Sequence, residues 1–321
     1  MTSPVSIAPM MDWTDRHCRY FLRLLTPNAR LYTEMVTAAA IVHGEAERFL
    51  RYDPAEHPIA LQLGGSDVAW MTSAAVAAAE FSYDEININV GCPSDRVQSG
   101  QFGACLMATP DLVARCYAAM RDKVDVPVTV KTRIGIDDQD SYDFLRRFVD
   151  ALLEVGCSTF VVHARIAILA GLSPKENRSI PPLNHERVYR LKRDYPELHI
   201  VMNGGIKTLQ QVDAMLGQVD GVMIGREAYH NPYFLASLEA HFWPEWSMPT
   251  RHAVVEQMLP YIERELAAGE RLSRITRHMS GLFLGEPGAR SWRRYLAENA
   301  YQDDANTDVI INALKQMPMA A

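Results

Sequence analysis

The chain has no apolar run approaching the roughly twenty residues that a membrane-spanning helix needs. Its 48% hydrophobic residues are therefore available for a core. The opening, Met1 to Pro9, lacks the basic-then-apolar pattern of a signal peptide. Cysteine is scarce: Cys18, Cys92, Cys105, Cys116 and Cys157 are odd in number and scattered, with no CxxC pair and no histidine at metal-binding spacing. A disulfide framework and a zinc site are thereby excluded, no metal is expected, and reduced thiols in a cytoplasmic protein are the economical expectation. Positive charge is also short, 32 Lys and Arg against 39 Asp and Glu. That balance argues against a protein that coats nucleic acid indiscriminately through its phosphates. A Gly-rich turn after the first strand is missing too. Ala8-Pro9-Met10-Met11-Asp12 stands there instead, which weighs against a doubly wound dinucleotide-binding sheet.

What is present is a regular series of short apolar or β-branched runs: Val5–Met10, Arg30–Met35, Ile59–Leu63, Glu85–Val90, Val128–Arg133, Thr159–His163, His199–Asn203 and Gly221–Gly225. Helical patterns separate many of them, over Asp67–Phe81, Pro110–Val124, Ser141–Val155 and Leu209–Leu216. Strands alternating with helices pair in parallel through right-handed crossovers, and eight such units in about 240 residues match a closed (β/α)8 TIM barrel. After Phe242-Trp243-Pro244-Glu245-Trp246 the alternation stops, and Arg251–Ala268, Arg271–Phe283, Ala289–Ala300 and Asp304–Gln316 read as helices. The expected organisation is a catalytic barrel over residues 1–245 and a smaller all-helical domain over 246–321. Positive charge concentrates in the second part, where residues 264–294 carry 7 Arg against 3 Glu. Arg290, Arg293 and Arg294 share one helix face, and Arg271, Arg274 and Arg277 form a similar row. In isolation such rows are solvated helix surface.

In this fold the chemistry gathers at the C-terminal ends of the strands. Polar groups stand at seven of them: Gln62; Asn87, Asn89 and Cys92; Lys131 and Arg133; His163 and Arg165; Asn203-Gly204-Gly205; Gly225-Arg226; and, beside Pro9-Met10-Met11, the turn after the first strand. One such residue is usually a satisfied structural group; a full ring is harder to dismiss. A Gly-rich turn after the seventh strand and Gly-Arg after the eighth form a pattern that suits phosphate, because glycine lets backbone N–H groups come close and arginine offers a forked contact. Lys131 lies in an otherwise apolar strand, a costly place for an ammonium without a partner. It suits either a Schiff base or a fixed cation beside a cofactor that becomes anionic on reduction, and the amides of Gln62 and Asn89 favour the second through pairing with a flat heterocycle. Cys92 sits in a polar, glycine-bearing loop that could serve as a lid, the place for a working thiol; the other four cysteines lie in apolar or helical stretches and read as packing residues.

Taken together, Ala8-Pro9-Met10, Asn87-x-Asn89-x-Gly91-Cys92-Pro93, Val130-Lys131-x-Arg133, His163-Ala164-Arg165, Asn203-Gly204-Gly205 and Gly221-Val222-Met223-Ile224-Gly225-Arg226 resemble the tRNA-dihydrouridine synthases, over nearly the whole chain and in the family's order. Gly171 to Leu183 and the opening Asp12 to Cys18 are similar to the bacterial DusA class. The resemblance implies an FMN-bound barrel, NADPH as reductant, and a helical domain that binds tRNA. It implies FMN contacts from Pro9, Met10, Met11, Gln62, Lys131, His163, Asn203, Gly204, Gly205, Gly225 and Arg226, with Cys92 as general acid. Asn89, Arg165, Lys175, Asn177, Arg178, Arg290, Arg293 and Arg294 are implied to meet the substrate RNA. The implied reaction reduces the C5–C6 bond of a D-loop uridine, at positions 20 and 20a, in a monomeric enzyme. An acid acting late in that reaction must remain a thiol until the uracil arrives, so the mechanism does not require a depressed thiol pKa. Ile166 departs from a more usual polar residue. Competing readings are a flavin reductase of a free pyrimidine, like a dihydroorotate dehydrogenase, a Schiff-base aldolase using Lys131, and a non-catalytic tRNA-binding protein.

Overall fold

The computed structural model describes residues 3–94, 97 and 100–318. Eight strands, β1 Val5–Ile7, β2 Leu31–Thr37, β3 Ile59–Gly64, β4 Glu85–Val90, β5 Val128–Arg133, β6 Thr159–His163, β7 His199–Asn203 and β8 Gly221–Ile224, form one sheet. Every neighbouring pair is parallel, in the order β1-β8-β7-β6-β5-β4-β3-β2. The seam between β1 and β2 is closed by Arg30, whose N–H donates to Val5 O at 3.2 Å and whose carbonyl accepts from Ile7 N at 2.9 Å. The barrel is therefore complete, and the expected fold is found.

Side chains alternate between the two faces of a strand. On β4 and β5 the residues Ile86, Ile88, Val90, Val128 and Val130 are buried on one face, where apolar surface meets the outer helices. Glu85, Asn87, Asn89, Thr129, Lys131 and Arg133 share the other, so this side of the barrel interior is polar. Outer helices begin where capping residues satisfy their first N–H groups. Asp67 accepts from Trp70 N ahead of Val68–Glu80, Ser141 from Phe144 N ahead of Tyr142–Glu154, and Thr208 with Gln211 forms a capping box on Leu209–Leu216.

The chain forms two compact units. The first runs to Met11 and continues as Arg30–Tyr52 and His57–Gly225; the second comprises Asp12–Ala29, Asp53–Glu56 and the chain from Arg226 onward. This differs from a division at residue 245. The end of strand alternation marks where the sheet stops, whereas packing follows the ion pairs and hydrogen bonds of the helices. Within the second unit Thr26 Oγ1 donates to Glu239 at 2.6 Å, Arg16 pairs with Glu265, Arg19 with Glu56 at 2.6 Å, and His17 Nδ1 meets Tyr261 Oη at 2.7 Å. Among the described residues no helix is long and apolar enough to cross a membrane.

Candidate active site at the barrel mouth

Cys92 follows the end of β4 and is half-buried, with its Sγ 3.5 Å from Ser94 Oγ. Two side chains hold its loop. Asn89 Oδ1 accepts from the backbone N–H of Gly91 at 3.1 Å and of Cys92 at 3.0 Å. From the other side Arg133 Nε donates to Gly91 O at 3.0 Å, while its Nη1 donates to Ile166 O at 3.0 Å and Asn177 O at 3.1 Å. Arg133 thus ties the Cys92 loop to the loop after β6, a role that residue typing alone did not assign. Further along, Ala104 N–H returns to Cys92 O at 2.9 Å. That return needs Gly103, whose φ is +75° and whose Cβ, if present, would lie 2.6 Å from Cys92 O. Residues 95, 96, 98 and 99 of the expected lid lie outside the described residues.

Lys131 Nζ donates to Asn203 Oδ1 at 3.2 Å, and Asn203 Nδ2 donates to Met223 O at 2.8 Å. Burial pushes the Lys131 ammonium down to about 7, the Arg133 guanidinium acts in the same direction, and Cys92 opposes both. Burial likewise lowers Arg133 to about 10, with Arg178 and Arg165 adding to the effect and Cys92 again opposing it. The groups acting on these two cations are other cations and one thiol, with no carboxylate among them. Two buried cations thus stand together at the mouth, each with its charged form disfavoured.

The β7 and β8 ends supply the backbone turns. Gly204 and Gly205 have φ of +121° and +79°; a Cβ at the first would strike His163 at 2.9 Å, and at the second Leu183 at 2.5 Å. His185 Nε2 meets Gly204 O at 2.8 Å, a further support for this turn that the residue pattern does not reveal. Gly225 behaves differently. Its backbone is ordinary and a Cβ there would come no nearer than 3.9 Å, to Ala8, so the protein's own packing does not demand glycine. Close approach of a ligand would. Met10 is buried, Met11 is 52% exposed, and Arg226 is exposed at the start of the next helix.

Other expected contacts divide sharply. Gln62 is buried and bonded to Asn87 and Asn89, at 2.8 and 2.7 Å. Arg165 donates to Pro181 O, pinning the segment that follows β6. Asn177 is fully buried, its amide accepting from Ile168 N at 2.7 Å and donating to Ile168 O and Leu172 O at 2.8 and 3.1 Å. It shapes the loop and presents nothing to RNA, whereas Lys175 is exposed and Arg178 half-buried.

In the helical unit the two arginine rows also separate. Arg274 pairs with Glu270 at 3.2 Å and Arg277 with Asp15 at 2.8 Å. Arg290, Arg293 and Arg294, on the helix Ala289–Asn299, are exposed and make no ion pair among the described residues. Cys18, Cys116 and Cys157 are buried, and burial pushes the last two thiols up to about 11 and about 12.

A closed parallel barrel whose strand ends gather a held thiol, a depressed ammonium and glycine turns defines an enzyme site of the (β/α)8 class. The chain belongs to the dihydrouridine synthase family, whose signature matches residues 6–317. It is 60% identical to the tRNA-dihydrouridine(20/20a) synthase of Shewanella oneidensis, over 95% of this chain and 91% of that protein. It is 58% identical to the protein of the same name from Vibrio cholerae, over 98% and 96% of the two chains, and 59% identical to that of Escherichia coli K12, over 97% and 90%. Among solved structures, an old yellow enzyme homologue from Zymomonas mobilis superposes with a TM-score of 0.52 at 12% identity, covering 77% of this chain and 90% of the other, a likeness of fold.

Proposed function

We propose that the chain reduces the C5–C6 double bond of uridine in tRNA to 5,6-dihydrouridine, with FMN as cofactor and NADPH as reductant, at positions 20 and 20a of the D-loop. The observation that carries this reading is the Cys92 thiol held beside the Lys131 and Arg133 cations, in a member of the dihydrouridine synthase family. FMN, when bound, supplies the hydride that reaches uracil C6. Gly204, Gly205 and Gly225 would approach its phosphate through their backbone, with Arg226 completing the contact. The fit rests on Gly225, where the protein's own packing would admit a Cβ, and on the Lys131 ammonium, which gains from an anionic partner. Pro9, Met10, Met11 and His163 would line the ring.

The uracil must leave the RNA stack to enter a barrel mouth. Hydride arrival at C6 leaves negative charge on C5 and the C4 carbonyl, and Cys92 donates the proton to C5. General acids of this kind contribute about 100-fold or more. Lys175, Arg178 and the exposed row Arg290, Arg293 and Arg294 hold the RNA backbone, a positioning role without base reading. The test is direct: purified protein, FMN, NADPH and an unmodified tRNA transcript should yield dihydrouridine at positions 20 and 20a. A yellow protein that reduces a free pyrimidine and leaves the tRNA unchanged would favour the dihydroorotate-dehydrogenase-like alternative.

A further inference from the structure

We propose that Glu85, at the end of β4 opposite the mouth, orients the Cys92 loop through a one-directional chain of buried hydrogen bonds. This rests on the reading of Cys92 as the acid. Glu85 Oε2 accepts from Arg30 Nη1 at 2.6 Å, and Oε1 accepts from Tyr32 Oη and Thr129 Oγ1, both at 2.6 Å. Beyond it Asn87 Nδ2 donates to Thr129 Oγ1 at 2.8 Å, Gln62 Nε2 to Asn87 Oδ1 at 2.8 Å, and Asn89 Nδ2 to Gln62 Oε1 at 2.7 Å. The chain ends where Asn89 Oδ1 accepts the N–H groups of Gly91 and Cys92. The register supplies the contacts, because Gln62 stands opposite Asn87 and Asn87 opposite Thr129.

The direction follows from donor and acceptor inventory alone. A carboxylate only accepts, so Thr129 must give Glu85 its single proton. Its oxygen can then only accept from Asn87, which fixes that amide with nitrogen towards Thr129 and oxygen towards Gln62. The same choice passes through Gln62 to Asn89 and leaves Asn89 with an oxygen facing the loop. Reversing any one member would oppose two N–H groups or two oxygens in a buried site, leaving polar groups without partners away from water. Arg30, which closes the barrel seam, and Tyr32 anchor the far end, so Glu85, Thr129 and Asn87 are positioning residues for Cys92.

Substitution at Thr129 separates this role from simple packing. Thr129→Val keeps the shape and removes the hydroxyl, and Thr129→Ser keeps the hydroxyl and removes the methyl. Amide hydrogen exchange of the Gly91 and Cys92 N–H groups should speed up about tenfold in Thr129→Val and stay within about twofold in Thr129→Ser, one lost hydrogen-bond constraint being worth roughly that factor. Glu85→Gln, which can donate as well as accept, should resemble Thr129→Val. Exchange that is unchanged in Thr129→Val, or faster in Thr129→Ser than in Thr129→Val, overturns the proposal. Single-turnover dihydrouridine formation on tRNA, measured with pre-reduced enzyme, should follow the same order. If exchange follows the predicted order and turnover does not, the chain stands and the assignment of Cys92 as the acid fails.

Discussion

Lys131→Met tests the claim that an uncompensated cation waits at the barrel mouth. Burial takes its ammonium from the ordinary 10.5 to about 7, and Asn203 Oδ1 at 3.2 Å is a neutral partner. A shift of that size corresponds to about 5 kcal/mol for a group cut off from water. Lys131 keeps partial contact with solvent, so screening and the lost hydrogen bond reduce the expected effect to about 2 kcal/mol. The sign is set by proton counting. The folded protein binds fewer protons at this site than the unfolded chain between pH 7 and 10.5, so stability rises with pH across that window and the penalty is complete below about 7. Urea unfolding of the apoprotein should therefore find Lys131→Met more stable than wild type at pH 6, with the gap closing as pH approaches 10. Affinity for the reduced flavin should fall at least about tenfold in the same variant, because the cation that meets the ring's negative charge after reduction is gone. A variant equally destabilised at both pH values would refute the reasoning, since Lys131 would then be a stabilising group already provided for by its surroundings.

Cys92→Ala should retain yellow colour and NADPH-driven bleaching while dihydrouridine formation drops at least about 100-fold, read by nucleoside analysis of treated tRNA. The glycines give a paired expectation. Gly205→Ala meets Leu183 at 2.5 Å on a left-handed backbone and should lower apoprotein stability by about 1–3 kcal/mol; Gly225→Ala, with nothing nearer than 3.9 Å, should leave apoprotein unfolding within about 0.5 kcal/mol while weakening flavin binding in a fluorescence titration. Reversing charge at Arg293 and Arg294 should raise the tRNA KM and flatten its dependence on salt, whereas reversal at Arg274, already paired with Glu270, should show mainly in thermal stability.

How much of this was legible in the sequence depends on whether a signal is local. β4, β5, β6 and β7 begin and end where their apolar and β-branched runs do, because a strand buried on its helix-facing side announces itself residue by residue. The helix His185–Asp194 leaves little trace in the sequence: only Val188 and Leu191 are buried in it, too narrow a stripe for a periodic pattern. At the site, Cys92, Lys131 and the two glycine turns stood out by residue type and by position at strand ends. The groups that hold them did not. Arg133 reads as one more basic residue until its three carbonyl partners are seen, and Asn177 reads as a loop amide until its burial is known. Glu85, Asn87 and Asn89 do carry a signal, polar residues at every second position of a buried strand, but their connection through Gln62 and Thr129 depends on register between strands, which no single stretch encodes.

The central claim is that this barrel reduces tRNA uridine with Cys92 delivering the proton. The most direct measurement is position-resolved dihydrouridine mapping of one unmodified tRNA transcript after a single turnover with NADPH-reduced wild-type and Cys92→Ala protein. Dihydrouridine at positions 20 and 20a with wild type, and its loss in the variant while the flavin is still reduced by NADPH, is the predicted result. Equal conversion by both proteins, or none by either, would contradict it.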